Sequence, residues 1–155
     1  MYTVLHMTEA QSDLAHRALA TLKIDAVQPI APAVVRAFLR HDDNVLAVAF
    51  SDEQPIGYAV AYDLPRVDGE HPMLLLYEVS VASAWRRRGV GSALVERVLA
   101  VARSRNAVKT WVLTDPTNAP ARALYASCRA DDRGPNQLYV WNQCKTPAGS
   151  EGSAR

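Results

Sequence analysis

Apolar and polar positions change period several times along the 155-residue chain, and each change marks an element. Tyr2 to His6, YTVLH, is short, β-branched and aromatic, and predicts a first strand. Thr8-Glu9-Ala10-Gln11 has the spacing of a capping box, and Leu14, Ala18, Leu19 and Leu22 recur behind it at helical intervals. QPIAP over 28–32 breaks that pattern. A second helix, about Pro32 to Arg40, then begins with proline in its first turn, where the missing N–H costs nothing. Asn44 to Phe50 and Pro55 to Leu64 are apolar strands joined by polar residues 51–54, and Gly57 in the second predicts a bulge or a close packing contact. Met73 to Val81 predicts a further strand. A helix from Gly89 to about Ser104 places Leu94, Val98, Val101 and Ala102 on one face. Val108 to Thr114 reads as a strand, Asn118 as the N-cap of a helix from Ala119 to about Cys128, and Leu138 to Gln143 as a last strand. Hairpin strands followed by alternating strands and helices predict an α/β (α+β) fold, a mixed sheet with helices on its faces. Residues 1–145 then form a single domain, and Thr146 to Arg155, rich in Gly, Ser and Ala, a disordered tail.

One stretch carries chemistry. Leu74 to Leu94, LLLYEVSVASAWRRRGVGSAL, reads as strand, turn and helix N-terminus. Gly89 and Gly91 let backbone approach a ligand closely, and the first-turn N–H groups and positive helix pole form a site for phosphate oxygens. Arg86, Arg87 and Arg88 add charge there, and Glu78 is the one acid in the apolar strand. A dinucleotide fingerprint is disfavoured because Leu94 stands where G-x-G-x-x-G needs its last glycine, and no Gly-Lys-Ser/Thr of a Walker loop is present.

Composition narrows the field. A hydrophobic fraction of 49% and a charged fraction of 21% are ordinary for a globular domain. With 17 basic and 16 acidic residues the net charge is +1, so no global field points to nucleic acid or a membrane. Cys128 and Cys144 offer neither a disulfide framework nor metal-ligand spacing, so no metal is expected. Without a signal-peptide pattern or a long apolar run, a cytoplasmic location is the expectation.

Arg86-Arg87-Arg88-Gly89-Val90-Gly91 resembles the R/Q-x-x-G-x-G/A signature of the GCN5-related N-acetyltransferases (GNAT), which hold the pyrophosphate of acetyl-coenzyme A on this loop. Asn118-x-x-Ala121-x-x-x-Tyr125 resembles the family's second signature, in which the Asn contacts the pantetheine arm and the Tyr lies near the thiol. The element order matches over roughly residues 2 to 143. The resemblance implies a mostly antiparallel central sheet of about six or seven strands flanked by about four helices. It also implies a cofactor site at Val79, Ser80, Val81, Arg86 to Arg88, Gly89, Val90, Gly91, Ser92, Asn118, Ala121 and Tyr125. Dimers are frequent in the family, so a homodimer is an open expectation. Arg129 stands where a helix-ending glycine is common, so a left-handed cap there would be strained.

A narrower resemblance lies upstream. AYDLPR over 61–66, an acidic loop, and Tyr77-Glu78-Val79-Ser80-Val81 before the arginines are similar to the aminoglycoside 3-N-acetyltransferases of GNAT type. Glu78 replaces the usual Asp, and Thr117-Asn118-Ala119-Pro120 replaces an Asp-Asp-Pro. That branch implies a small-molecule amine as acceptor, an aminoglycoside modified at its 3-amino group, and antibiotic resistance. A polycationic acceptor needs converging carboxylates. Asp63, Asp68, Glu70, Glu78 and Asp115 are the candidates, with Tyr77 beside them and Asp131 and Asp132 further along; Asp25, Gln28 and His41 are weaker ones. His16 reads as a surface residue.

The mechanism this implies is direct transfer in a ternary complex. Glu78 acts as general base, a backbone N–H near Val79 steadies the oxyanion, and Tyr125 protonates the leaving thiolate. Cys128 has no partner His that would make it a nucleophile. Three alternatives stay open: another amine acceptor (a polyamine, a small metabolite or a protein N-terminus), a non-catalytic acyl-coenzyme A sensor, and nucleic-acid binding through the arginines, against which the balanced charge speaks.

Overall fold

The structure is a computed structural model that describes residues 1–23 and 29–134. Asp25, Gln28, Cys144, the strand expected over 138–143 and the expected tail lie outside the described residues. Strand β1 is Thr3–His6, helix α1 Ser12–Leu22 and α2 Pro32–Arg40. Strands β2 (Asn44–Ser51), β3 (Gln54–Leu64) and β4 (Met73–Val81) follow, then α3 (Val90–Ser104), β5 (Lys109–Trp111) and α4 (Ala119–Ser127). Short 3-10 turns, Glu9–Gln11 and Ser83–Trp85, lead into α1 and out of β4. The Gln11 side chain accepts the Thr8 N–H at 3.1 Å, and the expected capping box is in place.

Among the described residues the sheet has five strands in sequential order, antiparallel from β1 to β4 and parallel between β4 and β5. That is fewer than the six or seven expected. β5 is also shorter than Val108 to Thr114, because it pairs only with Met73, Leu74 and Leu75.

β2 is buried on both faces and reads accordingly as a near-continuous apolar run. Towards α3 the sheet presents Val45, Ala47, Ala49, Ala59, Ala61, Leu74 and Leu76, which meet Val90, Leu94, Val95, Val98 and Val101. Towards α1 and α2 it presents Leu46, Val48, Phe50 and Tyr58, against Ala15, Ala18, Val35 and Leu39. Gly57 meets both expectations for it. A Cβ there would lie 2.8 Å from the Ser80 carbonyl oxygen, and the β2–β3 register shifts beside it, between Ala49 and Phe50. Arg129 does adopt a left-handed conformation, φ 63°, where a glycine would be unstrained. His16 is more than a surface residue: its Nε2 meets the Ile30 carbonyl oxygen at 2.8 Å and ties the α1–α2 connection to α1. No helix among the described residues is long and apolar enough to cross a membrane.

Candidate functional site

Glu78 owes its position to one extra residue. Val60 on β3 faces Glu78 on β4, but Ala61 faces Leu76, so Tyr77 has no partner across the ladder. Leu76 and Val79 both pack on the α3 side. Strict alternation would carry Glu78 there with Leu76 and turn Val79 away. The bulge instead turns Tyr77 and Glu78 together towards the α1 side, where Tyr77 is 64% exposed and meets Tyr62 edge-to-face at 5.6 Å.

The same strand offers an open edge. Pairing with β5 stops at Leu75, two residues before the bulge, while β4 continues to Val81. The Ala82 N–H bonds the Ile56 carbonyl at 2.9 Å, and the alternation from that bond turns the backbone groups of Val79 and Val81 away from β3, into the notch between β4 and β5. Arg86 Nε donates to the Val81 carbonyl at 3.1 Å. Among the described residues the N–H and C=O of Val79 and the N–H of Val81 have no hydrogen-bond partner, so this edge is open to a ligand laid along it.

At the end of that edge α3 begins. Gly89 is its N-cap at φ 83°, a left-handed conformation that a side chain rarely adopts. The Gly89 carbonyl accepts the Ala93 N–H at 3.0 Å, so the first-turn N–H groups of Val90, Gly91 and Ser92 emerge from the helix end. The three arginines divide their roles. Arg86 braces β4, and Arg88 lies over the Trp85 ring at 5.3 Å. Arg87, at φ 60°, has no side-chain partner among the described residues.

α4 closes the arrangement from the side. A Cβ on Gly91 would meet Leu124 at 3.3 Å, and Ser92 Oγ lies 3.3 Å from Ser127 Oγ, so α3 and α4 touch at the cradle. Asn118 caps α4 by accepting the Ala121 N–H at 3.1 Å. Tyr125 is half-buried, and burial, with Cys128 adding to it, raises its hydroxyl above the usual value. The group therefore keeps its proton at neutral pH.

The other expected acceptor residues are not brought to Glu78. Asp63 lies on the opposite, α3 face, where its Oδ2 takes Arg105 Nη1 at 2.7 Å and its side chain is 9% exposed. Its Oδ1 is buried without a partner among the described residues. Asp68 and Glu70 are in the exposed β3–β4 loop, at the Met73 end of β4 and about 16 Å along the strand from Glu78. Arg66, 3.0 Å away, holds the Asp68 carboxyl below its usual range. Asp115 Oδ1 binds the Thr117 hydroxyl and N–H at 2.6 and 2.7 Å, which lowers its carboxyl as well and commits that oxygen to the turn before α4.

Two residues at Glu78 were not expected. Lys23, at the C-terminal end of α1, places Nζ 3.1 Å from Glu78 Oε2. The Tyr58 hydroxyl donates to Glu78 Oε1. Burial first, and then the bond to Glu78, push that hydroxyl far above the usual tyrosine value. For Tyr58 a signal was available: a hydroxyl on the buried face of an apolar strand needs a partner. For Lys23, 55 residues from Glu78, local sequence holds none.

Residues 12–129 match the family model described as Acetyltransferase (GNAT) family. N-acetyltransferase 8 of Homo sapiens is 28% identical over 108 residues, which are 70% of this chain and 48% of that protein, so the chain spans about half the length of this curated relative. Among solved structures, an aminoglycoside acetyltransferase from an uncultured soil metagenomic sample superposes with a TM-score of 0.80 at 23% identity, over 94% of this chain and 99% of that one. AAC(6')-Iy in complex with the bisubstrate analog CoA-S-monomethyl-acetylneamine gives a TM-score of 0.75 at 17% identity, over 92% and 99%. At these identities the two structures speak for the fold.

Proposed function

The chain belongs to the GNAT acetyltransferase family, and on that footing we propose that it is an acetyl-coenzyme A-dependent N-acetyltransferase acting on the primary amine of a small molecule. The observation that carries this reading is the open edge of β4, where Val79 and Val81 turn their backbone groups into the notch, Glu78 stands on the acceptor side of the same strand, and the α3 N-terminus begins at its end.

The residues present fit the cofactor. Val90, Gly91 and Ser92 with Arg87 suit its pyrophosphate, Val79 and Val81 its pantetheine arm, and Tyr125 lies on α4 beside the cradle. Acetyl-coenzyme A supplies an acetyl group already activated as a thioester. Glu78 Oε2 removes a proton from the acceptor ammonium, since only the free amine is nucleophilic. The Val79 N–H faces the notch as a donor for developing negative charge. Tyr125 carries a proton on its hydroxyl for the departing sulfur. A reaction on acetyl-coenzyme A also suits a cytoplasmic protein.

For the acceptor, the resemblance over 61–66 and 77–81 and the aminoglycoside acetyltransferases among the similar structures support an aminoglycoside, with the 3-amino group as the position and resistance as the outcome. The scatter of Asp63, Asp68, Glu70 and Asp115 favours a second reading, an amine of low total charge. Coenzyme A release with gentamicin, kanamycin, spermidine, short peptides and simple monoamines separates them. Release only with the aminoglycosides, and a product acetylated at the 3-amino group, establishes the first. Release with monoamines or spermidine alone removes the antibiotic acceptor, and silence with every amine removes the transferase reading.

A further inference from the structure

We propose that Lys23 is a specificity-determining residue: its ammonium occupies on Glu78 the place of the acceptor's ammonium, so an incoming amine binds by displacing it. The inference rests on the reading of Glu78 as the acceptor-side carboxylate.

The geometry is that of an occupied site. Lys23 Nζ lies 3.1 Å from Glu78 Oε2, while the Tyr58 hydroxyl takes the other oxygen, so both carboxylate oxygens are engaged by the chain's own donors. Lys23 caps α1, where its N–H bonds the Leu19 carbonyl at 2.9 Å. The backbone is held there, while the flexible stem carries the ammonium across to β4 and to within 5.3 Å of the Tyr58 ring centroid.

Two ion pairs of this sheet show the difference between a brace and an exchangeable contact. Asp63–Arg105 is short, at 2.7 Å, and 9% and 23% exposed, and a planar guanidinium holds it. Lys23–Glu78 is 34% and 35% exposed, and its cation is a compact point charge on four rotatable methylenes. A pair so open to water is weakly held and exchanges one ammonium for another at small cost.

The consequence for substrate choice is a matter of charge. With Lys23 present, Glu78 offers no net negative charge to an acceptor, and the displaced ammonium stays nearby and repels every further positive charge the acceptor carries. Exposed Tyr77, stacked edge-on against Tyr62 beside Glu78, offers a flat apolar surface to the amine's carrier. The acceptor class that fits is a primary amine of one positive charge on an apolar or ring-bearing frame, and Lys23 disfavours polyamines.

Calorimetric binding of phenethylamine, spermidine and kanamycin, in the presence of coenzyme A, tests this on the wild type and on Lys23→Met, Lys23→Gln, Lys23→Arg and Glu78→Gln, with coenzyme A release from acetyl-coenzyme A measured alongside. The neutral Lys23 variants should tighten spermidine and kanamycin roughly three- to fivefold relative to phenethylamine. Lys23→Arg should not, and Glu78→Gln alone should weaken all three amines by removing the carboxylate that Lys23 and the acceptor share. Unchanged relative affinities in both neutral variants, amine affinities unchanged by Glu78→Gln, or no binding of any amine would each overturn the proposal. Coenzyme A release without any Lys23 effect would remove this inference alone. A Lys23 effect on binding without coenzyme A release would remove the transferase reading alone.

Discussion

Asp63 and Glu78 sit on adjacent antiparallel strands yet face opposite sides of the sheet. Asp63 is two residues from Ala61, in phase with the core under α3, whereas the bulge at Tyr77 puts Glu78 in phase with Val60 and Tyr58. Two carboxylates that sequence alone groups at one acceptor site are thus separated, Asp63 a buried brace and Glu78 on the α1 face as the proposed base.

If Asp63 is a brace, its loss is felt in stability. Asp63→Ala strands Arg105 in a mostly buried position, and unfolding by denaturant should show a loss of about 3 kcal/mol. kcat/KM for the acceptor, measured on the folded variant, should stay within about twofold of the wild type. A raised KM with unchanged stability would return Asp63 to the acceptor site.

Glu78→Gln keeps an oxygen for the Tyr58 hydroxyl but removes the proposed base. Turnover at neutral pH should fall by about a hundredfold or more, while acetyl-coenzyme A affinity changes by less than about twofold. Full activity in this variant would take the base assignment away from Glu78.

Deleting Tyr77 tests the bulge itself. Without it Leu76 and Glu78 become neighbours, Ala61–Leu76 and Val60–Glu78 become consecutive pairs, and alternation keeps Glu78 on the α1 face. The denaturation midpoint should stay close to that of the wild type, with the edge-to-face contact of Tyr77 on Tyr62 lost. A stability lowered by several kcal/mol would mean that the bulge itself holds β4 in register.

At the cradle, Gly89→Val forces a β-branched residue to φ 83° and sets a Cβ 3.2 Å from the Tyr2 hydroxyl. The strain, about 1–3 kcal/mol, falls on the first turn of α3. Binding of acetyl-coenzyme A should weaken roughly tenfold by calorimetry. Retained affinity would sink the phosphate-site reading.

His6 gives the fold an acid limit. Burial, and then the charges of Arg105 and Arg97, lower its pKa below the ordinary 6.5. Below that value the unfolded chain binds a proton that the folded chain refuses, so stability falls as pH drops. His6→Gln should flatten this part of the stability profile, and an identical acid slope in both proteins would show that other groups set it.

Much of the architecture is legible in the sequence because it is local. Met73–Val81 is found with the observed bounds, Asn118 caps as its side chain suggests, and Gly57 marks close packing. The bulge is legible too: apolar positions 74 and 76 give way to 79 and 81, a phase slip of one that alternation cannot produce. Non-local pairings were beyond reach. Lys23 meets Glu78, and Arg105 meets Asp63, only because strands and helices distant in the chain are packed together. Acidic residues in a loop look alike in sequence whether they converge on a site, as Asp68 was expected to, or bond their own loop, as it does with Arg66.

The alanine seat beneath α3 has a mechanical consequence. Ala47, Ala49, Ala59 and Ala61 are fully buried and leave the helix no side chain to slide on. α3 has 15 residues and so measures about 22 Å, and it rests on that seat from Val90 at its N-terminal tip to Val101. A rod of that length works as a lever, and a methyl-sized lift at one alanine tilts the far end. Cofactor affinity is therefore tunable from positions that touch no ligand, and enlarging any of these alanines should detune the cradle before it unfolds the sheet.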